Sequence, residues 1–247
     1  VPCSRGECYV LSDACWRLVP GALRARAATI SAAEVGGVCG WYGSPGRERS
    51  GGAGELLYWD YEFAIKRAQS RWATLLGATG AMYALRRELF VPPPPDTIND
   101  DFVIPALMVA RGHRMVIEEE AVVDDLDPRM GDFRSRVRVT AGNWQQLFYC
   151  RELLSLRRPR VCWQFLSHKV LRLASPFLLL ALCLSALVLV PAAAAAVFLA
   201  AAVLALVRGT GPGGKLSSAA RKFLAGNAAA LCGTAVYFTR GGRLSWK

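Results

Sequence analysis

GATGAMYALRRELFVPPPPDTINDDF, from Gly77 to Phe102, is the stretch on which the reading of this chain turns. The small-residue loop Gly77 to Gly80 either lets backbone approach a ligand closely or simply turns the chain into Ala81 to Leu85, an apolar run that reads as a strand. Arg86-Arg87 follows, and Pro92 to Pro95 makes a stiff, extended connection. The stretch closes on Asn99-Asp100-Asp101, directly ahead of a helix expected over Phe102 to Arg111, which contains Pro105 and stops at Gly112. Paired carboxylates at a helix start have two uses. Both can cap the N-terminus, where the dipole favours negative charge. Alternatively one caps and the other is left to take a proton from a substrate hydroxyl.

Upstream, Gly6 to Leu11 reads as a short strand ending at Ser12-Asp13-Ala14-Cys15. An acid at the carboxyl end of a strand either caps the next turn or faces a ligand, since open α/β sheets place ligand groups there. Leu18 to Ala28 has helical composition, Glu34 to Gly40 reads as a second strand, and Ser44 to Gly54 is a polar, glycine-rich loop. Glu55 to Trp72 reads as a helix whose Lys66, Arg67 and Arg71 form a basic face, solvated or resting at a membrane interface.

Downstream, His113 to Ile117 is expected as a strand. Arg134, Arg136 and Arg138 alternate; on a strand they would share one side and suit a pyrophosphate, and on a helix they would spread round it. Trp144 can stack on a sugar ring or pack in a core. Arg151 to Arg172 is basic, and from Ala174 to Val207 no residue is charged, too long a run for a buried globular helix. Pro191 divides that run into two arms, a hairpin or one long tilted helix; basic residues at both ends place both ends on the cytoplasmic side of a hairpin. A third apolar segment, Phe223 to Phe238, is short, and three placements are open to it: spanning, re-entrant or interfacial.

The chain has 247 residues and a net charge of +11. The arginines gather beside the apolar run, which the positive-inside rule explains, so specific nucleic-acid binding is not expected. The eight cysteines include no C-x-x-C pair and only two histidines accompany them, which argues against a zinc site or a disulfide framework and for free thiols facing a reducing cytoplasm.

Taken in order, these motifs resemble the membrane-bound family 2 glycosyltransferases, the group of processive cellulose, hyaluronan and poly-N-acetylglucosamine synthases. Gly6-Glu7 through Asp13-Ala14 is similar to the strand bearing the family's D-x-D motif. Gly77 to Gly80 with Arg86-Arg87 resembles its acceptor-side loop and arginine pair. Asn99-Asp100-Asp101 matches the acidic motif whose last acid is the base, and Arg136-Val137-Arg138-Val139 falls where the family has Q-x-x-R-W. The resemblance implies a partial GT-A, Rossmann-like α/β domain over residues 1–150, a basic juxtamembrane segment over 151–172, and a membrane region over 173–247 holding a hairpin (174–207) and a third segment (223–238). It places the catalytic part on the cytoplasmic face of a multi-pass inner-membrane protein. It implies an enzyme, an inverting transfer from a nucleotide-sugar donor to a glycan or lipid acceptor, for polysaccharide or glycolipid synthesis. Asp101 would be the base and Asp100 would shape the site. Asp13 with Mg2+ or Mn2+, and Arg136 and Arg138, would hold the diphosphate, and Thr79, Gly80 and Trp144 would line the acceptor side. Cys15 stands where a second metal-binding acid or an Asn is expected, and Ser135 and Val139 replace the Gln and Trp. The family's first strands, with their base-binding acid, would precede Val1. These departures carry a second reading, a catalytically inactive truncated homologue that serves as a membrane binding or assembly subunit.

Overall fold

The computed structural model describes residues 6–13, 16–18, 21–42, 53–125, 132–193, 195–196 and 212–240. Five strands form one sheet: β1 (Cys8–Leu11), β2 (Trp16–Leu18), β3 (Val35–Tyr42), β4 (Tyr83–Arg86) and β5 (Arg114–Asp125). Their order is β1-β4-β3-β5-β2. Among the described residues only β3 and β5 run parallel, with Val38 opposite Val116 and Cys39 opposite Ile117; the β1–β4, β3–β4 and β2–β5 pairs are antiparallel. The sheet is thus parallel, as in a Rossmann-like domain, at this one described pair and antiparallel at the others.

Helices α1 (Ala22–Ile30) and α2 (Ala53–Trp72) precede the central stretch. Arg86 at the end of β4 fixes the turn after α1, donating to the carbonyls of Val35 (2.8 Å), Ile30 (2.9 Å) and Ala32 (3.0 Å). Helix α3 (Asp100–Ala110) is apolar on every side and forms the centre of the core. Phe102, Val103, Ile104, Ala106, Met108 and Val109 are buried against Leu75, Leu85, Met115, Cys150 and Phe165. Its far end is closed by Arg158, whose guanidinium donates to the carbonyls of Val109 and Ala110.

β5 runs well beyond the expected Ile117. Glu118-Glu119-Glu120 breaks the apolar pattern, and Arg67 of α2 answers one of these acids with a paired contact to Glu119 at 2.7 and 2.8 Å. The segment bearing Arg134, Arg136 and Arg138 is helical, α4 (Phe133–Tyr149), which corrects the strand alternative. Residues two apart on a helix point to nearly opposite sides, so Arg136 faces away from Arg134 and Arg138, which lie four apart on one face.

Beyond α4 come α5 (Pro159–Phe165), a π-helical turn at Leu166–Val170, and α6 (Leu171–Leu189). Together they form one helix, Pro159–Leu189, long and apolar enough to cross a membrane. It is the only such helix among the described residues. Leu178, Leu182, Leu184 and Leu189 are all exposed on it. Most of the second arm, 197–207, lies outside the described residues, so neither a hairpin nor several membrane helices are seen. The expected third segment is part of α7 (Pro212–Thr239), which lies along α4. The contact is close: a methyl group on Gly233 would meet the Val137 carbonyl at 2.6 Å.

Candidate active site

Antiparallel pairing explains how residues far apart in sequence meet. β1 ends as β4 begins, with Leu11 opposite Tyr83. The ladder continues past the strands: the Asp13 N–H donates to the Gly80 carbonyl at 3.0 Å, and Ser12 Oγ donates to the Ala81 carbonyl at 2.7 Å. The acid after β1 is therefore fastened to the glycine loop before β4.

The same loop is fastened to the paired acids. In a helix the carbonyl of Asp101 would accept from residue 105, but Pro105 has no N–H. The Ala78 N–H donates to that carbonyl instead, at 3.0 Å. Lys66 of α2 holds the loop from its other side, donating to the carbonyls of Ala78 (3.1 Å) and Gly77 (3.4 Å). Thr79 leans on β3 through the Cys39 sulfur, 3.4 Å from its amide and 3.5 Å from its hydroxyl.

Gly80 is where the carboxylates converge. A methyl group there would collide with Asp13 Oδ2 and lie 3.8 Å from Asp101 Oδ2. Asp100 keeps the local role: its Oδ1 accepts the Asp101 N–H at 3.0 Å. Asn99 does not cap α3 with its side chain. It donates to the Val139 carbonyl at 3.0 Å and to Asn143 Oδ1 at 3.3 Å, fixing the start of α3 to α4. The fit requires Gly142, since a side chain there would meet Asn99 Nδ2 at 2.6 Å.

Charge follows this crowding. Burial pushes the Asp101 carboxyl above the usual carboxylate range; Lys169 and Lys66 pull it down, and the charges of Asp100 and Asp13 raise it. Asp13 is also raised, first by loss of hydration and then by Asp100, with Arg138 opposing. Tyr83 is buried beside the three carboxylates, and its phenol is pushed far up by burial and then by their charge, so it stays protonated.

The structure thus brings together Asp13, Gly80 and Asp101, with Asp100 beside Asp101 and the charge of Arg138 acting on Asp13. The Arg136 guanidinium lies beside α7, 3.7 Å from where a side chain on Gly226 would begin. Trp144 donates to Thr234 Oγ1 at 2.9 Å and stacks with Tyr237, so its ring is engaged by α7. Cys15 lies outside the described residues. Sequence reasoning missed Lys66 and Lys169 as members of the site, and Pro105 four residues after Asp101 was the signal for the loop's attachment. A groove of about 800 Å3 lies on the α1 side of the sheet, lined by Leu23, Arg26, Ile30 and Arg86, and none of the clustered acids lines it.

Among the described residues no group of three His, Cys, Asp or Glu side chains could hold a metal by itself. The chemistry of the donor set is nevertheless that of a hard cation. Mg2+ and ions like it are commonly bound by one or two carboxylates, with phosphate oxygens and water completing the shell. Asp13, a carboxylate with its charge poorly compensated, fits that mode.

No protein-family model matches the chain, and no curated protein matches it. Among solved structures it is similar to the mannosyltransferase PcManGT from Pyrobaculum calidifontis, in complex with GDP-Man and Mn2+, at 20% sequence identity and a TM-score of 0.70. The similarity covers 96% of this chain and 63% of that one. The chain therefore spans less than two thirds of its neighbour's length, and what the two share is a mixed α/β fold.

Proposed function

We propose that the chain carries an inverting glycosyltransferase site, moving a sugar from a nucleotide-diphosphate donor to an acceptor hydroxyl. The convergence of Asp13 and Asp101 on Gly80, with Arg138 close enough to act on Asp13, is the observation that carries this reading. The neighbour's GDP-Man and Mn2+ support it as regards donor and cation.

On this reading Asp101 accepts the proton of the acceptor hydroxyl as its oxygen attacks the anomeric carbon. The bond from that carbon to the diphosphate oxygen breaks, the nucleoside diphosphate leaves, and one displacement inverts the centre. Asp13 would hold Mg2+ or Mn2+ against the diphosphate, where the ion neutralises the charge of the leaving group. Arg138 adds a fixed positive charge on the same side. Asp100 holds the first turn of α3, and Thr79 and Gly80 form the edge nearest the acceptor. Arg136 and Trp144 take part only if α7 gives up its contacts with them. The bare apolar surface of α6 supports a seat in the bilayer, with residues 1–150 at the cytoplasmic face, 151–172 at its surface, 173–247 as the membrane region, and a polysaccharide or glycolipid as product.

A second reading, an inactive membrane assembly subunit, is favoured by the cysteine at position 15, a soft ligand poorly matched to Mg2+. Calorimetric titration of the full chain in nanodiscs with GDP-mannose and UDP-sugars, with and without Mn2+, separates the two. Metal-dependent binding followed by turnover that Asp101→Asn abolishes supports the transferase. Absence of donor binding in every condition overturns it and leaves the subunit.

A further inference from the structure

The titratable groups around Asp101 come from five elements. Asp13 follows β1, Lys66 is on α2, Tyr83 on β4, Asp100 on α3, and Lys169 on the π-helical turn Leu166–Val170. Four of these belong to the sheet domain. Lys169 does not: it stands two residues before α6, on the helix whose outer part is apolar and exposed.

Lys169 is directed inward. Its Nζ lies 4.1 Å from the centre of the Phe102 ring, and Phe102 is buried and directly follows Asp101. Such a contact favours an ammonium over the ring face. The surroundings give the ammonium little else: Asn143, Gln146, Leu147, Phe165, Val170 and Leu173 share a small cavity with it, and the Gln146 Oε1 is buried without a partner. Insertion of a π-helical turn changes the direction of the side chains that follow, and such turns recur at functional sites. The base of α6 is held in register by a second contact. Arg172 pairs with Glu62 of α2 at 2.5 Å, and Glu62 lies one helical turn before Lys66. Helix α2 thus grips the loop beside Asp101 with one residue and the root of α6 with another.

We propose that Lys169 is a positioning residue for Asp101, supplying from the root of the apolar helix a positive charge that holds the base ionised and in place. The word base rests on the transferase reading; the charge coupling does not, and it is what the test reads.

The test is a double-mutant cycle on the full chain in nanodiscs, followed by thermal unfolding at pH 7.5 with chelator present. Lys169→Met keeps the length of the side chain and removes its charge. Burial makes the Lys169 charge costly in itself, so the readout is the difference between backgrounds: Lys169→Met should be less favourable to Tm by about 3 °C with Asp101 present than with Asp101→Asn, a difference typical of about 1 kcal/mol in a protein of this size. Lys169→Arg should restore the native Tm in the native background. The cycle is repeated with Lys169→Gln, so that an unfolded Met variant does not end it. Equal shifts in both backgrounds mean that Lys169 merely packs, and overturn the proposal, as does no shift in either. Because no sugar transfer is measured, failure of the transferase reading would appear separately, in donor binding.

Discussion

The carbonyl of Asp101 accepts its hydrogen bond from Ala78, in a loop more than twenty residues upstream, and it can do so because Pro105 leaves that carbonyl open. A residue in the middle of a buried helix thereby decides where the glycine loop sits. Pro105→Ala supplies an N–H that competes for the carbonyl. Hydrogen exchange should show the Ala78 amide losing protection while the fold persists. Transfer should fall about tenfold, within the range that small misplacements cost. Unchanged protection at Ala78 would mean that the loop is held by Lys66 alone.

Gly80 has no positive φ among the described glycines, so its role is one of space and not of backbone freedom. Gly80→Ala drives a methyl group into Asp13 Oδ2. Mn2+-dependent donor binding should weaken at least about tenfold, about 1.4 kcal/mol, while the melting temperature stays near native. Calorimetric titration reads both the affinity and its metal dependence.

Asp101 links activity to stability with opposite signs. Its carboxyl is raised above the unfolded value mainly by burial, so the folded state holds the proton more tightly than the unfolded one. The stability this gives is fully present below the unfolded pKa and is lost as pH rises through the folded one. At neutral pH the ionised acid is therefore a cost. Asp101→Asn should raise Tm at pH 7.5 in metal-free buffer, and the gap from the native protein should close as pH falls toward 4. A variant less stable than native at neutral pH would contradict the burial of this charge.

Trp144→Phe keeps a ring against Tyr237 and removes the N–H that reaches Thr234. Loss of that bond costs about 1 kcal/mol, a drop in Tm of about 2–4 °C. Thr234→Ala should give a similar drop, and the double variant little more. A change in acceptor KM with Tm unchanged would instead assign the ring to substrate.

The elements of the candidate site were legible where local signals agree. Asp100-Asp101 ahead of an apolar run gave the start of α3, and the strand ending near Ser12 gave the place of Asp13. What the sequence left open depends on pairing at long range. Nothing near Asp13 announces that its amide meets the Gly80 carbonyl, because that contact is set by the register of β1 on β4. The alternating arginines carry equal weight for strand and helix, and the helix wins through burial of Thr140, Ala141, Gly142 and Gln145 behind them. Lys66 and Lys169 look like parts of ordinary basic surfaces in one dimension, since a lysine's partner is fixed only when the helices have packed.

The continuous helix from Pro159 has a consequence in terms of length. Its 31 residues, rising about 1.5 Å each, measure about 46 Å, against about 30 Å for the hydrocarbon core of a bilayer. With α6 seated in that core, roughly a third of the helix stands clear of it, and that third carries Lys169 and follows directly on Arg158, which closes the end of α3. The helix then acts as a post of set height: its head closes the far end of α3, and Lys169, at the foot of the protruding third, keeps Asp101 close to the lipid surface. Acceptors would be sorted by reach: only a hydroxyl presented at that level above the lipid meets Asp101, whatever sugar the donor carries.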